Sequence, residues 1–452
     1  MPPKRALGPF DKRRRVTRCQ ACATRKIRCS GGIPCSYCVR TNRNCLEQDK
    51  KRPATTIIGH THDVIYQSRQ SRKTLNQQMG NRTEIRYIDQ FMAFIRRNRF
   101  TRRFRCLPTE VVPLLHTSTL LSLAVTAIGA LDAARHASVS THRGQESPRL
   151  IALSAYSSSL RELQTALADS DVARREDVLW GTFFLGLFEL MADPSGEGWA
   201  KHMLSGTSKL LQLAGPGQKM STPRQMFFEL FRVLEASRTL LYGATSILPE
   251  LEWLHSPRDE SSATTDQDGL ETMLSLMIRT STFSARFFDL VHGVQDPDLP
   301  LIHALGLEGL EIQRSIYEWH NRAIILLDQV ANADFLQLAF VYSHALLIFL
   351  SNNYNYYPYW SHRQAPRLSH WETDYHVDAI LEQADRILTA SDIPGVLLFF
   401  PLRVAGSRAK DGMQRARILG MLDRVWKNGF MVSKRIGSDL QEYWEYHKMR
   451  VA

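Results

Sequence analysis

Hydrophobic and polar residues alternate with a helical period along most of this chain, beginning near residue 83. The first periodic segment has four apolar residues spaced three or four positions apart, namely Ile85, Ile88, Met92 and Ile95. Further amphipathic segments lie at about 118–136, 148–169, 174–192, 197–214, 223–243, 270–292, 306–330, 334–352, 372–390 and 411–447. Strand-like alternation between turns is almost absent, and no repeat of 20–50 residues is visible. The pattern therefore predicts a large all-α domain over residues 83–452.

Local signals mark where some of these helices begin and end. Thr222-Pro223 places a capping hydroxyl before a proline at the first helical position, and Gly243 is suited to ending that helix. Residues 253–269 and 353–370 are predicted to be loops, because the first stretch is polar and acidic and the second is aromatic and contains proline. The longest apolar stretch, 119–134, is shorter than the ~20 residues of a membrane span, so we predict a buried helix there.

The first 82 residues lack this periodicity and divide by composition into three parts. Residues 1–17 form a basic arm, residues 18–46 contain most of the cysteines, and residues 47–82 are polar with scattered charge, as in a linker. No heptad pattern is sustained through the linker. A coiled-coil dimer is therefore not predicted there, and the oligomeric state stays open.

The formal net charge is +12, and it is unevenly distributed. Residues 1–105 contain 26 Lys and Arg against 6 Asp and Glu, a net of +20, and the rest of the chain contains 31 against 39, a net of −8. A basic head on a mildly acidic body indicates a polyanionic partner for the head, with double-stranded DNA as the leading candidate. A membrane partner is not predicted, because no basic amphipathic helix or lipidation motif stands out near the start.

Six of the seven cysteines lie within residues 19–45, with the spacing C-x2-C-x6-C-x5-C-x2-C-x6-C. They are Cys19, Cys22, Cys29, Cys35, Cys38 and Cys45. A C-x-x-C turn brings two sulfurs to the separation that a tetrahedral Zn–S site requires. Six thiolates can fill the eight positions of two tetrahedral zinc ions if two of the thiolates bridge both ions. The spacing therefore predicts a small metal-stabilised cluster with two zinc ions, whose binding would supply most of its folding free energy.

Three other interpretations of the cysteines are disfavoured. No secretory signal is recognised, so the expected environment is reducing and three disulfides are not expected. The spacing matches neither ferredoxin pattern, so an iron–sulfur cluster is not expected. RING-like and treble-clef modules often have histidine ligands, and no histidine lies between Cys19 and Cys45. Cys106, the seventh cysteine, is predicted to be a small buried apolar residue.

The segment between the second and third cysteines carries the cations that indicate a function. Arg25, Lys26 and Arg28 would lie on a short helix held by the metal, which fits the major groove, where Arg and Lys bond O6 and N7 of guanine. Five further arginines are candidate contacts to DNA phosphates: Arg14, Arg15, Arg18, Arg40 and Arg43. The alternative is that these cations only neutralise the thiolate cluster and keep it soluble.

At these residues the chain resembles the fungal binuclear zinc-cluster transcription factors. Their signature is C-x2-C, a basic stretch ending in cysteine, a short loop with proline, and C-x2-C-x6-8-C, and the second half here begins PCSYC. The resemblance implies two short helices, and it implies that Cys19 and Cys35 bridge the zinc ions. It also implies that Arg25 and Lys26 approach the bases, commonly of a CGG triplet. Ala23 departs from the family, which usually has Arg or Lys there, and this puts one phosphate contact in doubt.

A second resemblance covers residues 152–216, which look like the helical fungal-specific regulatory domain that often follows this cluster. It rests partly on Trp199 and His202, which are themselves predicted to be core packing residues rather than ligand-binding ones. The resemblance implies a regulatory rather than a catalytic domain. The chain has no G-x-S-x-G, H-E-x-x-H or G-x-G-x-x-G motif, and it is not predicted to be an enzyme.

These observations predict a nuclear, sequence-specific DNA-binding factor that regulates RNA polymerase II transcription, with the genes of a metabolite pathway as candidate targets. The alternative is a zinc-stabilised protein-interaction module on a helical scaffold, without specific DNA readout. An enzyme with a structural zinc site is a third, weaker hypothesis. A second copy of the chain and the transcription machinery or its co-regulators are further candidate partners.

Six arginines lie between Arg96 and Arg105, beyond the cysteine cluster. The sequence leaves four interpretations of them open. They could form a second DNA contact, a nuclear-import signal, a dock for the acidic body of the protein, or a solvated helix face.

Overall fold

The chain forms two compact units, Met1–Leu75 and Asn76–Ala452, in a computed structural model. The structure describes residues 19, 21–22, 29, 34–42, 44–46, 85–136, 147–196, 199, 205–214, 221–243, 248, 265–291, 299–327 and 333–451. The predicted arm at 1–17 and the predicted linker beyond residue 46 lie outside these residues, so the predicted domain boundaries stay predictions.

The described residues of the larger unit form helices and no strand, which confirms the predicted all-α domain. With α1 (Ser36–Arg40) in the smaller unit, the helices are α2 (85–97), α3 (Thr119–His136), α4 (Pro148–Ala166), α5 (Glu176–Ala192), α6 (Ser205–Ala214), α7 (Thr222–Tyr242), α8 (Thr265–Val291), α9 (Leu299–Leu327), α10 (Asp334–Asn355), α11 (His370–Ala390), α12 (Phe399–Arg408), α13 (Gly412–Lys427) and α14 (Ser433–Val451). Short helical turns connect α2 to α3. The apolar stretch at 119–134 is a largely buried helix, as predicted.

Two helices that are apolar on nearly every side form the centre of the larger unit. Helix α5 packs against α3, α4, α6 and α7, and α10 packs against α8, α9, α11 and α12. Contacts between α7 and α8 join the two groups, and one continuous hydrophobic core runs through both. Trp199 is buried in this core, as predicted, and His202 lies outside the described residues.

Among the described residues, α10 is the one helix that is long and apolar enough to cross a membrane. Its most apolar window has a mean hydropathy of 1.5, but 83% of that window is buried inside the protein. The same test is passed by the core helices of proteins that never enter a membrane, and α10 has the burial of such a helix.

Several helix boundaries differ slightly from those that the sequence predicts. The cap of α7 is Ser221 rather than Thr222, since the Ser221 hydroxyl accepts a hydrogen bond from the backbone N–H of Arg224 at 3.4 Å. Gly243 ends this helix with a left-handed φ of 63°, as predicted. Helix α8 begins at Thr265, inside the predicted loop 253–269, so the acidic end of that stretch is helical.

The predicted segment 411–447 consists of two helices, α13 and α14. The break between them contains Gly429, whose φ of 115° is rarely adopted by residues with a side chain. The next residue, Phe430, is fully buried with its ring 6.0 Å from that of Phe94, so the chain turns inward at this point. Helix α12 was missed in the sequence because it is short and mostly buried, and it therefore lacks a polar face.

Three of the six arginines between Arg96 and Arg105 pair with carboxylates of the helical body. The pairs and their N–O distances are Arg97–Asp132 (2.9 Å), Arg99–Asp334 (2.9 Å) and Arg103–Glu229 (3.2 Å). Arg99 is buried and also lies over the ring of Phe335, 5.2 Å from its centroid. These contacts support the interpretation of the basic run as a dock on the acidic body.

A pair of buried histidines joins two of the core helices. The Nδ1 atoms of His344 on α10 and His376 on α11 are 2.8 Å apart, so one ring donates a hydrogen bond and the other accepts it. The ring of His320 on α9 lies 5.1 Å from that of His344. Burial lowers the pKa of His344 to about 3 and that of His376 to about 4. Both rings are therefore neutral in the folded protein at pH 5 and above.

This pair should make the larger unit sensitive to acid. Below the ordinary pKa of 6.5 the unfolded chain takes up two protons that the folded chain excludes until the pH approaches 4. The stabilisation is thus complete above pH 6.5 and falls with pH, by about 1.4 kcal/mol per pH unit for each histidine. Urea unfolding at pH 7 and pH 5, compared between the parent and a His344→Leu/His376→Leu chain, separates this effect from that of buried Glu229, whose raised pKa of about 7 acts in the opposite direction. Tryptophan fluorescence follows the larger unit, since all eight tryptophans lie beyond residue 82. The free energy of unfolding of a His303→Gln chain, changed at an exposed histidine, should depend on pH as it does in the parent. A His344→Leu/His376→Leu chain with the parent's pH dependence would contradict the assignment.

Candidate metal centre

The six clustered cysteines converge in the smaller unit as two groups of four. The ligand atoms of Cys19, Cys22, Cys29 and Cys35 all lie within 4.8 Å of one another. The same is true of Cys19, Cys35, Cys38 and Cys45. The two groups share Cys19 and Cys35, so six sulfurs define two adjacent four-sulfur sites.

The distances between the sulfurs fit zinc. Zn–S bonds of about 2.3 Å in a tetrahedron place neighbouring sulfurs about 3.8 Å apart. The Sγ atom of Cys35 lies 3.7 Å from those of Cys19 and Cys22, and the Sγ atoms of Cys19 and Cys38 are also 3.7 Å apart. Five of the six cysteines are buried and Cys45 is partly buried, as expected for a closed structural site. The donor set thus fits the metal in number, spacing and softness.

Each C-x-x-C pair begins at the start of a short helix. Cys35 has an extended backbone just before α1, and Ala21 and Cys22 are helical in the first half. The backbone N–H groups of Cys22 and Cys38 donate hydrogen bonds to the sulfurs of Cys19 and Cys35, and these bonds lower the pKa of the two accepting thiols. The first residue of each pair, Cys19 or Cys35, therefore loses its proton more readily than an ordinary cysteine. These are the two residues that both sulfur groups share.

Burial acts in the opposite direction on the second cysteine of each pair. It raises the pKa of Cys22 to about 12 and also raises that of Cys38. A cation between the sulfurs reverses this effect, because a coordinating thiol is deprotonated by the charge of the metal. Without a cation these two thiols therefore stay protonated, and a bound cation is what would make them available as thiolate ligands.

Among the predicted DNA contacts, the structure describes Arg40 alone. It lies in the last turn of α1 and is exposed, as is the neighbouring Val39. Thr41 and Asn42 end this helix, with Asn42 in a left-handed conformation at φ 48°. The other predicted contacts lie outside the described residues: Arg14, Arg15, Arg18, Arg25, Lys26, Arg28 and Arg43.

The sequence missed two features of the cysteines. The prediction that Cys106 is buried is wrong, because it is exposed in the larger unit at the end of a short helical turn. The backbone donors at Cys22 and Cys38 are the second feature, and the two C-x-x-C spacings are the signal that indicates them. Neither feature changes the composition of the two sulfur groups.

Comparisons with known proteins agree with this geometry. A family model described as fungal Zn(2)-Cys(6) binuclear cluster domain matches residues 17–54, and one described as fungal specific transcription factor domain matches residues 103–450. One curated relative is the thiamine repressible genes regulatory protein thi5 of Schizosaccharomyces pombe, which is 46% identical over 53 residues. That match covers 12% of this chain and 6% of the relative's own length. No solved structure matches the chain significantly.

The family matches agree with two sequence predictions. Both matched families are transcription factor domains rather than enzymes, and the cysteine-cluster family is a zinc-binding one. The family match at residues 103–450 spans most of the chain and lies within the helical unit Asn76–Ala452. The chain therefore belongs to the fungal specific transcription factor domain family and carries a fungal Zn(2)-Cys(6) binuclear cluster domain near its N-terminus.

Proposed function

We propose that this protein is a nuclear, sequence-specific DNA-binding regulator of RNA polymerase II transcription. The observation that carries the proposal is the pair of four-sulfur sites that share Cys19 and Cys35. The six cysteines would hold two zinc ions, with Cys19 and Cys35 available as ligands to both. The zinc ions supply positive charge that keeps the thiols deprotonated and free energy that folds a segment too short for a hydrophobic core.

The protein's own residues divide the proposed DNA contact into two tasks. Arg25 and Lys26 bond the base edges in the major groove, with a CGG triplet as the proposed target. The remaining cations, by this proposal, contact phosphates and fix the register of the unit on the duplex: Arg14, Arg15, Arg18, Arg28, Arg40 and Arg43. The exposure of Arg40 at the end of α1 is consistent with this role.

The proposed organisation assigns one task to each segment. Residues 1–17 are a basic arm, 18–46 the DNA-reading cluster, 47–82 a linker and 83–452 a regulatory domain. We propose that the regulatory domain acts on the transcription machinery or its co-regulators, and that a second copy of the chain is a partner on DNA. The match to a regulator of thiamine-repressible genes supports a role in gene regulation, and we propose a set of metabolite biosynthetic genes as the target.

Substitution of Lys26 tests base reading, with Arg40 as the matched control. Lys26→Ala should weaken binding to a CGG duplex by about 1–3 kcal/mol, or roughly 5- to 150-fold, and should affect a scrambled duplex much less. Arg40→Ala should weaken binding to both duplexes equally. It should also reduce the steepness of the plot of log binding constant against log salt concentration by about 1. Fluorescence anisotropy with the zinc-loaded full chain measures both. Equal losses on the two duplexes for Lys26→Ala would mean that Lys26 contacts phosphate only.

A salt titration separates the proposal from the alternative of a zinc-stabilised protein-interaction module. Binding that releases counterions from several phosphates falls steeply as salt rises, by about 10³–10⁵ between 50 and 200 mM for 6–10 contacts. A DNA-reading cluster should follow such a slope and keep its preference for the CGG duplex throughout. A chain with intact zinc that binds neither duplex at low salt would favour the interaction module.

A further inference from the structure

A cavity of about 510 Å³ lies along one face of α8, next to α9. Its inner surface includes Leu276, Ile278 and Phe283, which are buried apolar residues of α8. The volume lies within the roughly 300–1,000 Å³ of pockets that hold small organic molecules. The lining residues all belong to the larger unit, whereas the residues proposed to bind zinc and DNA belong to the smaller one.

The mouth of this cavity is polar but has no net charge. Arg286 pairs with Glu308 across the gap to α9, and its guanidinium lies 5.9 Å from the centroid of Phe283. About two helical turns earlier on α8, Arg279 pairs with Glu311, with a nitrogen–oxygen distance of 2.7 Å. Each cation at the mouth is therefore matched by a carboxylate. Hydroxyl groups of Thr272, Ser275 and Thr282 complete the lining.

We propose that this cavity binds a neutral, largely apolar small molecule that carries hydroxyl or carbonyl groups. An apolar ligand that covers the apolar inner surface removes both surfaces from water, and this favours binding. The guanidinium groups can donate hydrogen bonds to a carbonyl, and the carboxylates and hydroxyls can accept them from an alcohol. A charged ligand would lose its hydration without meeting a net opposite charge, because each arginine is already paired with a carboxylate, so a neutral ligand is favoured.

Nile red tests this proposal, because it is neutral, mostly apolar and carries a carbonyl group. We expect the full chain to bind it saturably with one site, seen as enhanced dye fluorescence. Thr282→Trp places a large ring in the mouth of the cavity at an exposed helical position, and it should weaken this binding at least tenfold. An anionic and a cationic dye of similar size should each bind at least tenfold more weakly than Nile red.

Thr165→Trp is the matched control. Both threonines are exposed on helices, and both hydroxyls donate to the carbonyl four residues earlier, at 3.0 Å for Thr282 and 3.1 Å for Thr165. Thr165→Trp should bind Nile red like the parent chain, and circular dichroism should give both variants the parent's helical signal. The proposal is overturned by the absence of saturable binding or by equal dye affinity in the two variants. It is also overturned if Thr282→Trp instead abolishes self-association of the chain, because the cavity would then be part of an interface between copies.

Discussion

A Cys35→Ser chain is expected to lose zinc from both sites and to lose specific DNA binding. Cys35 belongs to both four-sulfur groups, so its loss leaves three thiols in each, and four are needed for a closed structural site. Because zinc supplies about 10–16 kcal/mol of folding free energy in small zinc domains, the DNA-reading unit should unfold. Specific binding should fall about 10³-fold or more, to the level of non-specific binding. Zinc per chain by inductively coupled plasma mass spectrometry, with anisotropy on the same samples, measures both effects.

Two matched cysteine variants make this result specific. Cys29→Ser removes a sulfur from one group only, so it should retain about one zinc in the intact group of Cys19, Cys35, Cys38 and Cys45. Cys106→Ser, outside both groups, should keep the zinc content and DNA affinity of the parent chain. Tryptophan fluorescence should report an intact larger unit in all three variants. If Cys35→Ser and Cys29→Ser retained equal amounts of zinc, Cys35 would not be shared.

Gly129→Ala is expected to destabilise the larger unit more than other single-methyl changes. Gly129 lies in the middle of α3, where α2 crosses so closely that an added Cβ would lie 1.9 Å from the carbonyl oxygen of Tyr87. It would also lie 3.1 Å from the backbone nitrogen of Phe91. Backbone atoms cannot rotate away as a side chain can, so α2 must shift and the contact between Phe91 and Phe184 must open. We expect a loss of about 3–5 kcal/mol in the free energy of unfolding.

Gly420→Ala is the control for this change. Gly420 is an exposed position in the middle of α13, and no neighbouring atom lies within 4 Å of the Cβ that alanine would add. The higher helix propensity of alanine should raise the stability there by up to about 1 kcal/mol. Urea unfolding followed by tryptophan fluorescence compares the two variants directly. A Gly129→Ala chain as stable as the parent would mean that α2 and α3 do not meet at this close approach.

The metal site was largely predictable because its information is local. All six sulfurs come from 27 residues, so the spacing limits which of them can meet. Counting thiolates gave two bridging residues, and the resemblance to a family gave their identity as Cys19 and Cys35. The structure adds a physical reason for that choice, since these two sulfurs accept backbone N–H bonds at the helix starts. Exposure of Cys106 was not predicted because a lone cysteine is usually a small buried residue.

The fold was predictable in class and not in its contacts. Helical periodicity gave the all-α body, but the partner of Arg99 is Asp334, 235 residues later, and nothing local indicates this pairing. The close approach at Gly129 and the contact between His344 and His376 likewise depend on how separate helices cross. The break at Gly429 was missed because an isolated glycine is tolerated inside a helical pattern.

X-ray absorption at the zinc edge of the full chain tests the central claim most directly. The proposed cluster predicts a first shell of four sulfurs at about 2.3 Å around each zinc, with no nitrogen or oxygen ligand. It also predicts scattering from a second zinc nearby, because Cys19 and Cys35 hold both ions. A nitrogen or oxygen atom in the first shell, or an isolated zinc without a metal neighbour, would contradict the shared six-sulfur cluster.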